Sequence, residues 1–114
     1  MTKSTSYHDA EIVGLFHEES EGSLSLNIIF PNKNKSLIIF EKVIGWDLSP
    51  FQEQNTIFDL HEFNQETLPE WIIKVFNIPQ EYIELINSNS KKLFYIDASV
   101  GLGGYIIAKK MSVN

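Results

Sequence analysis

The chain has 114 residues, 43% of them hydrophobic and 21% charged, which suits one domain with a single core and leaves no room for a second. It has no cysteine, which excludes disulfides, thiolate metal ligands and a cysteine nucleophile. Fifteen acids and nine lysines give a net charge of −6, and this balance opposes binding to a phosphate backbone. We therefore expect a single domain over residues 1–114 that does not bind nucleic acid.

The N-terminal residues contain no apolar segment of the secretory type. No apolar run approaches the roughly 20 residues that cross a bilayer, and no lipidation signal is present. We therefore expect a cytoplasmic protein that makes no membrane contact.

A period of two dominates residues 10 to 63 and is typical of β-strands. It is clearest where Leu24, Leu26, Ile28 and Phe30 alternate with polar residues, which predicts a strand with one buried face. Three further runs of this kind predict strands over 10–17, 36–44 and 54–63. Because polar turns separate most of these runs, antiparallel pairing of consecutive strands is expected.

The segment from Trp46 to Phe51 loses this period, and Pro50 within it cannot donate to a strand ladder. We predict a loop here. The loop places two aromatic residues beside Asp47, which makes it the best candidate for exposed anchors of a partner. The alternative is a loop that buries both rings in the core.

The period changes after residue 66. Thr67, Pro69 and Glu70 have the form of a capping box at a helix N-terminus. Apolar residues follow at helical spacing, and a weaker start signal over 77–80 predicts a kinked or broken helical layer over 67–88. This layer is too short to be stable alone, so we expect it to pack on the sheet.

Two β-rich runs, 93–96 and 105–108, follow the predicted helices. The glycine-rich stretch 101–104 between them leads into a strand and not into a helix, so it predicts a hairpin turn rather than a phosphate-binding loop. The predicted fold is α+β, with about six mainly antiparallel strands and one helical layer in the order ββββ-αα-ββ.

The charges are distributed unevenly along the chain. Residues 9–21 contain five acids and no lysine, and residues 41–70 contain seven acids and one lysine. Together the two segments carry eleven net negative charges, so the remainder is net positive by five. An acidic surface either solvates the fold or attracts a basic partner. For the second case, the predicted partner-binding residues are Glu18, Glu19, Glu21, Trp46, Asp47, Phe51, Glu53, Asp59, Glu62 and Glu66.

Histidine–carboxylate pairs offer an alternative function. His8 with Asp9, and His61 with Asp59, each provide two ligand groups, whereas a metal site needs three or four that converge. If all four side chains meet in one pocket, the chain is a small enzyme or a metal- or ligand-binding module. Separate surface histidines are the simpler expectation, and we predict no metal, no cofactor and no catalytic residue.

Two short stretches resemble small uncharacterised bacterial domains. They are the Tyr-His-Asp-Ala-Glu-Ile sequence over 7–12 and the segment over 51–59. In size, charge and class, the chain is also similar to the immunity proteins that are encoded beside bacterial toxins. That resemblance implies a non-enzymatic protein that binds and blocks a basic toxin domain, and it assigns no individual residue. The oligomeric state stays open, although an unpaired strand edge would favour a homodimer.

Overall fold

The computed structural model describes residues 6–114 as one eight-stranded antiparallel sheet with two short helices. In chain order, the strands are β1 (Glu11–Glu18), β2 (Ser23–Ile29), β3 (Lys35–Glu41), β4 (Gly45–Ser49), β5 (Thr56–Phe63), β6 (Lys92–Val100), β7 (Gly103–Ala108) and β8 (Lys110–Val113). The helices α1 (Glu70–Phe76) and α2 (Gln80–Asn87) lie between β5 and β6. Across the sheet, the strand order is β4-β7-β6-β5-β1-β2-β3-β8.

The predicted six-stranded ββββ-αα-ββ layout is wrong, because two strands were missed. The first is β4, which occupies most of the segment predicted as a loop and pairs with β7 from Gly45 to Ser49. The second is the four-residue β8, which pairs with β3. All neighbouring strands are antiparallel, but consecutive pairing holds only in part: β1–β2 and β2–β3 pair as expected, whereas β5 lies beside β1 and not beside β3.

The sheet curls until its two ends meet. β3 runs into β4 through a bend at 42–44, and β7 runs into β8 through Lys109. Within the bend, the Lys109 amide donates to the Glu41 carbonyl and the Ile44 amide donates to the Ile107 carbonyl. These bonds connect the β3–β8 ladder to the β4–β7 ladder. The molecule is therefore a partly closed barrel rather than a flat sheet.

The alternation along each strand creates two cores. The inner core fills the barrel around Phe40 and Phe94, whose ring centroids lie 5.2 Å apart in edge contact. The outer core lies between the helices and the outer face of β6 and β7, where Ile72 and Ile86 pack with Leu93 and Tyr105. The helical layer therefore covers one side of the barrel. This packing was expected, because helices this short are not stable alone.

The start of α1 differs from the prediction. Thr67 does not cap the helix; its hydroxyl accepts a hydrogen bond from the Asn64 amide at 2.9 Å and belongs to the preceding turn. Pro69 is the N-cap residue and makes no side-chain capping bond. Asn77, in the left-handed region, ends α1, and Pro79 precedes α2. The signal over 77–80 thus marks the break between the helices.

Asn55 is a buried polar residue that positions the beginning of β5. Its side-chain oxygen accepts from the amides of Gln52 and Leu102, both at 2.9 Å. Its amide group donates to the carbonyls of Gln52, at 2.8 Å, and Ile12, at 3.3 Å. One side chain therefore joins the β4–β5 loop, the β6–β7 turn and β1.

Candidate functional site: the opening between β1 and β5

β1 and β5 are neighbours in the sheet, but they pair over one short stretch only. Glu11 lies opposite Thr56, and the flanking backbone bonds involve residues 9–12 of one segment and 55–57 of the other. Within residues 6–114, no further backbone hydrogen bond joins the two strands. The strands separate from there, which leaves the facing edges of residues 13–18 and 58–63 unpaired with each other. We call this gap the β1–β5 opening.

Irregularities in both strands account for the separation. The register of β1 against β2 shifts between Ile12 and Gly14, and that of β5 against β6 shifts between Ile57 and Asp59. Such bulges bend a strand and increase its local twist. The two irregularities follow directly on the paired stretch, so each strand turns away where pairing ends.

Large apolar side chains remain exposed on these strands. Val13, Leu15 and Phe16 on β1 and Phe58 on β5 are each between 42% and 58% exposed. The Phe58 ring is in edge contact with the His8 ring at 5.2 Å, and the Phe58 carbonyl lies 3.0 Å from His8 Nδ1. Leu15 and Phe16 point to opposite faces of β1, so an extended partner at this strand could contact exposed apolar groups on both faces.

The topology also brings the two acidic segments of the sequence together. One segment contains β1 and the other contains β5. These two strands are far apart in the sequence but are neighbours in the sheet. Glu11 and Glu18 lie on β1, Asp59 and Glu62 lie on β5, and neither strand contains a lysine. Among these acids, Glu62 pairs with a lysine, Lys92, at 2.9 Å. The opening is therefore bordered by acids on both sides.

The predicted partner-binding residues lie on more than one surface. Glu18 ends β1, and Glu19 and Glu21 continue into the turn after it. Asp59 and Glu62 lie on opposite faces of β5, since Asp59 is opposite Asp97 outside the barrel and Glu62 is opposite the inner-core residue Phe94. All five residues lie on or just beyond the two strands of the opening.

The other predicted residues follow β4 and the loops. Trp46 lies in β4 and not in a loop, is 40% exposed, and contacts the His17 ring of β1. Asp47 lies opposite Tyr105 on the outer face, where burial of the phenol, followed by the Asp47 charge, raises the pKa of Tyr105. The remaining three, each exposed, lie in the loops on either side of β5: Phe51, Glu53 and Glu66.

The four residues of the alternative function form two pairs. His8 Nε2 lies 3.5 Å from Asp9 Oδ2, and His61 Nε2 lies 3.6 Å from Asp59 Oδ2. In the described part of the chain, no ion pair or hydrogen bond joins one pair to the other, and no group of three such side chains could hold a metal ion. Two depressions of about 260 and 270 Å³ along β2 and β3 include none of these residues.

Sequence reasoning missed a cluster on the outer face of β5 and β6. Asp97 lies directly opposite Asp59, and Tyr95 lies directly opposite His61. The Tyr95 ring stacks on His61 at 5.7 Å and meets the exposed Trp71 edge-on at 5.7 Å. Burial and then the Asp97 charge raise the pKa of Tyr95. The alternation of Tyr95 and Asp97 was the available signal, but Asp97 lies outside both acidic segments.

Positive charge is concentrated at the bends. The Lys91 ammonium donates to the Lys42 carbonyl at 2.8 Å, and Lys109 occupies the bend between β7 and β8. Burial and the nearby Lys109 and Lys42 charges lower the pKa of Lys91. These three lysines lie at or beside the bends of the sheet, whereas Lys92 reaches Glu62 on β5.

No family model and no curated protein matches the chain. It is similar to a solved structure, the crystal structure of an uncharacterized protein from Neisseria gonorrhoeae. The TM-score is 0.56 and the sequence identity 10%, over 95% of this chain and 92% of the other. At this identity, the likeness shows a shared fold alone. Among the described helices, none is long and apolar enough to span a membrane.

Proposed function

We propose that the chain is a non-enzymatic protein-binding module that takes a basic partner at the β1–β5 opening. The observation that carries this proposal is the adjacency of β1 and β5, which combines acids with exposed apolar side chains on the same two strands. Apolar groups within a charged surface supply the anchors of an interface. The surrounding acids steer a partner of opposite charge and fix its orientation.

The exposed apolar groups distinguish this surface from one that only keeps the protein in solution. Acids alone would suffice for that purpose, whereas leaving Phe16 and Phe58 more than half exposed forgoes roughly half of the about 1.5–3 kcal/mol that full burial of each ring would contribute. A partner that covers these rings would recover part of that free energy. The combination therefore favours an interface over a solvated face.

An immunity-type role is the biological form of this proposal. In such a role, the chain would occupy the basic surface of a toxin domain and block it. The small size of the chain and its net charge of −6 support this form.

A peptide titration tests the function. An oligolysine peptide should bind, and the amide resonances of residues 13–18 and 58–63 should shift in heteronuclear NMR spectra. Affinity should fall as salt shortens the Debye length from about 30 Å at 0.01 M to about 8 Å at 0.15 M. The double variant Glu18→Gln/Asp59→Asn should weaken binding about fivefold, which is roughly 1 kcal/mol for one half-buried and one exposed charge.

The matched control is Glu81→Gln/Glu84→Gln, which removes two exposed charges from α2 instead. We expect this variant to bind almost as the parent does. Equal losses in the two double variants would mean that net charge, and not the opening, attracts the peptide.

A further inference from the structure

We infer that the partner contributes an extended segment that adds as a strand to the unpaired edge of β1, residues 13–18. This inference rests on the proposed function and specifies how the partner binds. β1 is paired with β2 along its whole length, so its other edge presents backbone donors and acceptors to the opening. An added strand needs just such an edge, with main-chain bonds for affinity and side-chain contacts for specificity.

The edge of β1 is better suited than that of β5. The carbonyl of Phe58 on β5 already faces His8 Nδ1 at 3.0 Å, so part of that edge is occupied. Three of the exposed apolar side chains of the opening, at 13, 15 and 16, belong to β1. An incoming strand would meet both free main-chain groups and apolar surface there.

Apart from the register shift between Ile12 and Gly14, β1 lacks most of the devices that protect an exposed edge. Natural sheets guard edges with lysines, prolines or very short strands. β8 is four residues long and begins at Lys110, and β4 is five residues long and is followed by Pro50. Residues 13–18 contain neither lysine nor proline. The edge that contains neither lysine nor proline is therefore the one that lies in the opening.

The negative charge of β1 determines which kind of strand can add to its edge. A second copy of the chain would bring Glu18 of its own β1 to the same edge as this Glu18, and residues 13–18 contain no lysine to compensate. A partner segment with lysine or arginine would neutralise these acids instead. Along β1, Leu15 and His17 face the inner side and Phe16 and Glu18 the outer side. The fitting segment is therefore extended and alternates apolar with basic residues.

N-methylated peptides test this mode of binding. The parent probe is a peptide of alternating lysine and valine; the second probe is N-methylated at every valine, and the third at every lysine. All three carry the same charge. An added strand presents the donors of alternate residues to its neighbour, so one methylated peptide should bind at least about tenfold more weakly while the other retains its affinity.

Equal affinity of all three peptides would overturn strand addition while leaving the proposed function intact. Failure of the parent peptide to bind would instead contradict the proposed function itself. Hydrogen exchange provides the second measurement: the parent peptide should slow exchange of amides within 13–18. A dimer of the free chain that the peptide dissociates would assign the edge to a second copy and overturn the inference.

Side-chain variants complete the test. Phe16→Ser should weaken binding of the parent peptide, whereas Val75→Ser should not, although Val75 on α1 is still more exposed. Both positions are on the surface, so neither change endangers the core. Equal binding by the two variants would contradict contact with β1.

Discussion

The imidazole of His17 and the indole of Trp46 pack edge to face with their ring centroids 4.9 Å apart, although four positions in the strand order separate β1 from β4. The curl of the sheet brings them together. Trp46 faces the same side of its strand as the inner-core residue Ile106, which lies opposite it, and reaches the unpaired stretch of β1 from inside the barrel. The contact between His17 and Trp46 therefore connects the β1–β5 opening to β4, the strand at one end of the sheet order.

A double-mutant cycle measures this connection. Trp46→Ala and His17→Ala should show a coupling of about 0.5–1.5 kcal/mol in urea unfolding, the usual range for an aromatic pair. Trp71→Ala with His17→Ala is the control and should be additive, because the Trp71 ring contacts Tyr95 instead. Additivity in the first cycle would show that the contact does not contribute to stability.

Asn55→Ala should destabilise the protein by about 2–4 kcal/mol, since it removes four hydrogen bonds and leaves buried backbone groups unpaired. The exposed Asn87→Ala at the end of α2 should change the unfolding free energy by less than about 0.5 kcal/mol. Chemical denaturation gives both values. A cost at Asn55 as small as that at Asn87 would refute its role in joining β1 to the β4–β5 loop.

Two glycines with positive φ provide a matched comparison. Gly22 has φ +66° and open space where a Cβ would lie, whereas at Gly104, with φ +136°, a Cβ would overlap the Asp47 carbonyl oxygen. Gly22→Ala should cost about 1–2 kcal/mol for the backbone conformation alone. Gly104→Ala should cost at least roughly 2 kcal/mol more, because it separates β4 from β7. Thermal unfolding of both variants decides the ranking.

Alkaline pH should destabilise the fold through the partly buried Tyr95. Burial and then the Asp97 charge raise the pKa of Tyr95 above its usual value of about 10. Between the unfolded and folded pKa values, the native state retains a proton that the unfolded chain releases, so stability falls as pH rises through this interval. The stability of Tyr95→Phe should therefore fall less steeply above about pH 10.

The pH experiment compares the two proteins at each pH. Lys91, whose pKa is lowered, acts with the opposite sign, because its native state releases a proton first and stability rises with pH. Taking the difference between the wild type and Tyr95→Phe removes that contribution. Parallel stability curves would show that Tyr95 titrates alike in both states.

Local sequence patterns predicted the longer strands correctly. They did not predict β4 and β8, which are short and depend on pairing with other strands. The alternation of Leu24, Leu26 and Ile28 reflects one buried face, so β2 could be predicted from its residues. β4 and β8 alternate as well, but over only five and four residues, which is too short to recognise in isolation, and they are held in place by β7 and β3. Their existence depends on the curl of the sheet, which no local window contains.

The site was predictable in composition and not in arrangement. The two acidic segments are visible in the sequence, but consecutive pairing of the predicted strands would have placed β3 rather than β1 beside β5. Strand order is a long-range property and determines which charges become neighbours. Trp46 is 40% exposed, but it lies in β4 and not in the predicted loop, and its contact with His17 depends on the same closure.

The two bent strand pairs make each half of the barrel depend on the other. β3–β4 and β7–β8 each supply one strand to the β1-side ladder and one to the β5-side ladder. If the strands of either ladder unfold, the other ladder also loses hydrogen-bond partners. Unfolding should therefore be a single cooperative transition. The amides flanking Lys109 should therefore exchange hydrogen at the rate of global unfolding. The proposed strand addition at the β1–β5 opening would not require any of these hydrogen bonds to break.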